Sequence, residues 1–448
     1  MAEIIPFRAL RYDPHHVPNL AQVVTPPYDV ISPQAQDRYY ARHPYNVVRL
    51  VLAKPEPPGA PDGSRYAQAA ATYTAWRRDG ILRRDPTPAV YLYEQEFSVS
   101  QTSRLRRRGL LALVRLHEYA EQVILPHERT FSHHKDDRLQ LMRACPANLE
   151  AILGFYPGPN REIGALQDRY MDTNPAVSLV DEEGVGHRLW MVGARSEVTA
   201  LCAALRDRPV VIADGHHRYE TALTLRNERR TQNPTPPAAP HHRLDDYVLM
   251  NLVSSDDPGL VILPTHRVIR RRPAPSATAL TDALARHFRI VPFPLDAANP
   301  LPSLQAALAD LARREGAGIA CALYTGGCEI LVMELADPAV PQTFLAEGRA
   351  PAYATLDVAV LHRLLVEDIL GIPQATQTDD SIQYTRDPAR ALAAVRSGEA
   401  AAALFLNPPR VEQVQAIARA GERMPQKTTF FFPKVLSGLV LSPLDEDG

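Results

Sequence analysis

A chain of 448 residues exceeds one ordinary domain, and at about 100–200 residues per domain two to three are expected. Hydrophobic residues make up 45% and charged residues 22%, and 49 basic side chains nearly cancel 51 acidic ones, for a net charge of -2. That balance argues against a disordered chain, a membrane-embedded chain and a general attraction to nucleic acid or anionic lipid. No apolar run reaches the ~18 residues of a spanning helix.

The opening MAEIIPFRALRYDP lacks a charged segment followed by an apolar stretch and a small-residue cleavage site, so a cytoplasmic location is expected. Cys145, Cys202, Cys321 and Cys328 form no C-x-x-C pair and are expected to be reduced. Pro26 and Pro27 each drive the residue before them away from helix, so Pro26-Pro27 followed by Tyr28–Ile31 is expected as a loop entering a short strand, with a helix from Ser32 and Pro33 at its first position. Asn46–Val51 is a strand candidate by its β-branched content, and Tyr66–Asp79 a helix candidate. From Ala89 to Leu116 two alternating segments flank the basic RLRRRG, which predicts a hairpin with that run at its tip. Asp136–Ala144 and Ser196–Leu205 have helical spacing, and Ala151–Tyr156 is a short apolar strand.

Thr231–His242 and Arg271–Ser276 are proline-rich breaks. Beyond them helix and strand alternate through ATALTDALARHF, RIVPFPL, LQAALADLARR, GIACALYTG and EILVMEL. Thr355 can cap LDVAVLHRLLVEDILG, which stops at Gly371. The expected class is mixed α/β, in three segments: an N-terminal lobe over 1–119, a core over 120–272 and a C-terminal lobe over 273–448.

The segment that carries chemistry is Pro209–Arg230, PVVIADGHHRYETALTLRNERR. Val210–Ala213 is an apolar strand, Tyr219, Ala222, Leu223 and Leu225 give the next segment a helical apolar side, and Asp214–Arg218 turns between them. Gly215 lets backbone approach a ligand, and the helix start offers N–H groups to an anion. His216, His217 and Arg218 add donors, and a guanidinium matches phosphate in two parallel bonds. The alternative is a capping aspartate with locally bonded histidines.

This turn resembles the phosphate-binding turn of the ParB/sulfiredoxin superfamily, and the D-G-H-H-R spelling is similar to that of its free-serine kinases. The resemblance implies a nucleotide-binding core, phosphoryl transfer from ATP or ADP to the hydroxyl of free L-serine, and magnesium. Across most of its length the chain also resembles the domain of unknown function 1015 family. The residues that carry this are TPPYDVI (Thr25–Ile31), HPYNVVRL (His43–Leu50), LPHERT (Leu125–Thr130), KDDR (Lys135–Arg138), ADGHHRYETA, LPTHRVI (Leu263–Ile269), LDVAVLH (Leu356–His362) and FFFPKVLSGLVL.

A kinase of an alcohol needs a carboxylate beside the attacking hydroxyl and positive charge over the transferred group. Glu128 is assigned as the base, with Asp214 and His216 as further catalytic groups. Gly215, His217, Arg218, Lys135 and Arg138 are assigned to the phosphates, and Asp29, His127 and Thr130 to the substrate. Lys427 and Lys434 are candidates for a substrate anion, surface lysines being the alternative. No H-E-x-x-H spacing suggests a protein-only metal site, so magnesium is expected to arrive with the nucleotide, with Asp214 as a possible ligand. Two other functions stay open: a nucleotide-binding regulator without catalysis, and a DNA-associated protein like the ParB relatives that bind CTP.

Overall fold

Alternating apolar and polar residues build one long antiparallel hairpin, Val90–Ser100 against Ser103–Arg115, paired from Tyr91 with Leu111 out to Ser98 with Arg104. This computed structural model describes residues 2–55, 63–100, 103–130, 132–232, 243–270, 277–337, 339–372, 381–425 and 427–445. Of the proline-rich breaks, 233–242 and 271–276 lie outside the described residues. The basic run Arg104–Arg108 belongs to the second strand and not to the tip. Its alternate arginines meet acids across the ladder, Arg106 Nε donating to Glu96 at 3.0 Å and Arg108 Nε to Glu94 at 3.2 Å.

The described residues form two compact units, the first made of Met1–Pro126, Thr130–Val261 and Phe431–Gly448. Its nine-stranded sheet runs in the order Ile124–Leu125, Val210–Asp214, Ile152–Tyr156, Tyr247–Ser254, Ser103–Arg115, Val90–Ser100, Gly186–Val192, Val177–Val180, with Ile4–Ile5 also on Ser103–Arg115. Two pairs are parallel, Val210–Asp214 with Ile124–Leu125 and Ile152–Tyr156 with Tyr247–Ser254. Strand alternation sends Leu92, Leu110, Ala112, Ile152, Ile212 and Met250 into one core. Leu201 and Leu205 of the helix Arg195–Leu205, and Tyr219 and Ala222 of the helix His216–Gln232, pack into the same core. Each Leu, Ile or Met side chain among them contributes roughly 1.5–3 kcal/mol by burial.

No boundary falls after residue 119, because Tyr247–Ser254 pairs with the hairpin from Tyr247 opposite Arg115 to Val253 opposite Gly109. The three expected segments thus differ from the two observed units. Asn46–Val51 contains a short helix, Val48–Val51, and not a strand: Asn46 Oδ1 accepts from Val48 N at 3.0 Å and starts the turn. Tyr28–Val30 is a single tight helical turn. The helix Pro33–Arg42 begins as expected, Ser32 Oγ accepting from Ala35 N at 3.2 Å.

The second unit comprises His127–Arg129 and Ile262–Phe430. Its six strands are all antiparallel, in the order Phe288–Pro294, Glu329–Leu335, Ala320–Tyr324, Ala402–Leu406, His266–Ile269, Ile382–Thr385. Leu304, Ala307 and Leu311 of the helix Pro300–Arg313, and Leu392 and Val395 of Pro388–Arg396, cover one face. Thr355 does not cap the following helix. Its Oγ1 donates to Ala352 O at 3.0 Å, and Leu356 stands at the cap of Asp357–Leu361. The class is mixed α/β, as expected. No described helix is long and apolar enough to cross a membrane.

Candidate functional site

Val210–Asp214 is apolar until its last residue because it is an interior strand of the nine-stranded sheet. Gly215 then turns the chain at φ +96°, and the helix His216–Gln232 starts at once. Glycine is required here twice over. A left-handed φ is costly for a residue with a Cβ, and a Cβ would stand 2.9 Å from Arg218 Cζ.

Arg218 lies one turn into the helix and folds back over the glycine, Nη2 donating to Asp214 Oδ2 at 2.7 Å and Nη1 to Ala151 O at 2.5 Å. The other carboxylate oxygen, Asp214 Oδ1, accepts from Lys434 Nζ at 2.5 Å. Burial works to raise the Asp214 pKa, but Lys434 and Arg218, with His216 behind them, hold it well below the usual carboxylate range. Burial alone would likewise lower the Arg218 pKa, yet Asp214, Glu150 and Asp29 raise it. A fixed anion and two fixed cations therefore stand at the positive end of a helix dipole.

Two further carboxyl groups belong to this cluster. Glu150 is buried and accepts from Tyr28 N at 2.9 Å and from Ser437 Oγ at 3.0 Å. It thereby pins the Tyr28–Val30 turn, and that turn presents Asp29. Burial raises the Glu150 pKa against the pull of Arg218 and Arg138. Asp29 keeps contact with solvent, yet its pKa is raised by the protein packed round its carboxyl and by the Asp214 charge, with Lys434 and Arg218 opposing. One carboxyl shifted down beside one shifted up is the electrostatic pattern of a stabilising anion next to a proton acceptor.

Arg138 is nearly buried and stacks its guanidinium 3.9 Å from the centre of the Tyr28 ring, while Nη1 donates to Val51 O at 2.6 Å. Together with Glu150, Arg218 and Thr221 it lines a cavity of about 50 Å³, roomy enough for water and too small for a metabolite. Thr130 and Lys135 meet elsewhere on the helix His216–Gln232: Glu220 Oε2 accepts from Thr130 Oγ1 at 2.8 Å and pairs with Lys135 Nζ at 3.1 Å. Lys135 and Glu220 line a cavity of about 320 Å³. His127 and Glu128 belong to the second unit, where His127 Nε2 hydrogen-bonds Thr429 Oγ1 at 2.9 Å and Glu128 Oε1 accepts from Lys427 N at 2.9 Å. Among the described residues, no group of three or more His, Cys, Asp and Glu side chains is placed to hold a metal ion.

The sequence profile of the family described as Protein of unknown function (DUF1015) matches residues 4–359. The chain belongs to that family. This DUF1015 chain is similar in structure to a conserved hypothetical protein from Pyrococcus furiosus, at 13% identity over 70% of this chain and 90% of that one, with a TM-score of 0.29. A free serine kinase in complex with AMP matches at 14% identity over 70% and 86% of the two chains, TM-score 0.31. SbnI with a C-terminal truncation, from Staphylococcus aureus, matches at 13% identity over 75% and 90%, TM-score 0.30. No curated protein matches the sequence.

Of the residues expected at a site, Asp29, Asp214, Gly215, His216 and Arg218 fall into one electrostatic cluster, and half-buried His217 lies in the same first helical turn. Sequence reasoning missed Glu150 and Tyr28 altogether. It named Lys434 without a partner, since the Lys434–Asp214 pair spans 220 residues and leaves no local pattern.

Proposed function

We propose that this DUF1015 chain transfers a phosphoryl group from ATP or ADP to the hydroxyl of a small metabolite, with free L-serine, giving O-phosphoserine, as the first acceptor to test. The carrying observation is the Gly215 turn, where a helix N-terminus, Arg218 and Lys434 surround one ionised aspartate. In this reading the amides after Gly215, with His217 and Arg218, receive the phosphates. Phosphoryl transfer asks chiefly for such positioning and charge, and for a group that takes the hydroxyl proton.

That group is proposed to be Asp29, in place of the Glu128 assigned from sequence. A carboxyl raised by its surroundings is a stronger base than an ordinary one, and one Glu128 oxygen already accepts from Lys427 N. His216 adds charge beside Asp214. Magnesium carried by the nucleotide fits this donor set, because the Asp29 and Asp214 charges repel each other and a carboxylate can accept more than the one bond each Asp214 oxygen makes. Bound there, it would neutralise phosphate charge. Arg138, stacked on the Tyr28 ring, is proposed to steady the turn that presents Asp29.

The test is incubation of the purified chain with ATP or ADP, magnesium and a pool of hydroxylated metabolites, read by mass spectrometry. A new phosphate ester, O-phosphoserine first, is expected. Nucleotide binding with no ester formed from any acceptor would replace the kinase with a nucleotide-binding regulator.

A further inference from the structure

The strand His266–Ile269 lies within LPTHRVI, inside the residues 4–359 matched by the family profile and so far without a role. Val268 packs into the helix-covered core with Ala322 and Ala403. By strand alternation Arg267 faces the other side of the sheet, where only 2% of it is exposed. Its Nη1 donates to Thr265 O. Its Nε and Nη2 are buried and have no hydrogen-bond partner among the described residues.

Those two N–H groups share one edge of the guanidinium, the edge that holds a carboxylate or phosphate in two parallel bonds. Burial lowers the Arg267 pKa to about 10, so the group remains a cation at neutral pH. Buried charges are normally paired, and a buried donor without an acceptor calls for an explanation.

A second observation points to the same chemistry. Tyr384 sits opposite Arg267 in the ladder, its ring centre 5.4 Å from Arg267 Cζ and 5.2 Å from Lys427 Nζ. Tyr384 is half-buried and Lys427 exposed, so the ring links the buried guanidinium to a cation at the surface. Lys427 takes a left-handed φ of +54°, a conformation rarely adopted outside glycine and asparagine, and Glu128 Oε1 holds its N–H. Two cations thus flank one aromatic ring.

We propose that the second unit binds an oxyanion, the carboxylate or phosphate group of a small ligand, in two parallel hydrogen bonds to Nε–H and Nη2–H of Arg267, with Lys427 as the second cation at the entrance. The site does not depend on the kinase reading of the Asp214 turn.

Thermal denaturation of the full chain with inorganic phosphate or acetate, against chloride at equal ionic strength, tests it. At least one anion should raise the melting temperature by about 3 °C or more at saturation. Phosphate alone acting identifies a phosphoryl ligand, and acetate acting as well identifies a carboxylate. Arg267→Met should abolish that shift and melt no lower than the parent without anion, because the orphaned charge is gone. Arg267→Lys keeps charge but loses the paired edge, and should weaken binding about tenfold or more. No shift with either anion overturns the proposal, as does an undiminished shift in both variants. Should Arg267→Met fail to fold, the Arg267 Nε–H resonance of the parent decides: movement on phosphate addition supports the site, and an unmoved signal at saturation removes it.

Discussion

Two largely buried arginines, one in each unit, are solvated by the protein in opposite ways. Arg218 reaches a carboxylate and a carbonyl, and its pKa is raised despite burial. Arg267 reaches one carbonyl, and burial lowers its pKa to about 10. A guanidinium whose counter-charge is built into the fold contributes to stability and to a fixed field. One whose counter-charge is missing marks a position that a ligand completes. The difference arises at the strand ends: Val210–Asp214 closes on an aspartate four residues before its arginine, whereas the strand His266–Ile269 carries no carboxylate, Arg267 standing between His266 and Val268.

The most direct way to break this contrast is to make Arg218 resemble Arg267. Asp214→Ala leaves Arg218 and Lys434 without their shared carboxylate in a largely buried site. A loss of about 3–5 kcal/mol in unfolding free energy is expected by urea titration. Adding Lys434→Met should recover part of it, and an unchanged midpoint in Asp214→Ala would show that the cluster carries no stability. The pH dependence follows from the lowered Asp214 pKa. Its stabilisation is present above the ordinary carboxylate pKa of about 3.9 and is lost as pH falls through the depressed folded value.

The next effect is catalytic. Asp29→Asn should leave nucleotide affinity intact and lower turnover by at least about 10²-fold, while Glu128→Gln keeps turnover near the parent's. The reverse result would return the base to Glu128. Arg218→Ala should weaken nucleotide binding and transfer together, by roughly tenfold or more, as expected for a charge-assisted contact.

A subtler measurement reads the coupling between the two aspartates. If Asp29 must be ionised to accept a proton, kcat/KM rises with pH through its raised pKa. Asp214→Asn removes the like charge and leaves Lys434 and Arg218 to act on Asp29, so the acid limb should move to lower pH, by about one unit. A limb that stays in place, or moves up, would mean that another group governs it.

These residues also show what the sequence could reveal. The Gly215 turn was legible because its parts are local: an apolar run, a glycine and a helical apolar spacing within twenty-two residues of each other. The Lys434–Asp214 pair was not, since 220 residues separate its members, nor was Glu150, whose partners are Tyr28 and Ser437. Arg104–Arg108 reads as a solvated tip until Glu94 and Glu96 are known to lie opposite. Asn46–Val51 has strand propensity that a single side-chain bond from Asn46 overrides. The division at 119 fails because strand pairing between Tyr247 and Arg115 is non-local.

The smallest expected effect tests whether the turn's geometry, apart from its charges, keeps Arg218 paired. Gly215→Ala places a side chain at φ +96° and a Cβ 2.9 Å from Arg218 Cζ. The backbone term costs about 1–2 kcal/mol, and the close approach is relieved by swinging the flexible arginine away from Asp214. Gly215→Asn carries a smaller backbone penalty, because asparagine tolerates left-handed φ, but the same steric conflict. If the conflict matters, both variants should lose nucleotide affinity while only the alanine variant loses the larger share of stability. Equal affinity in parent and both variants would mean that Arg218 finds another path to Asp214, and that Gly215 is needed for its backbone alone.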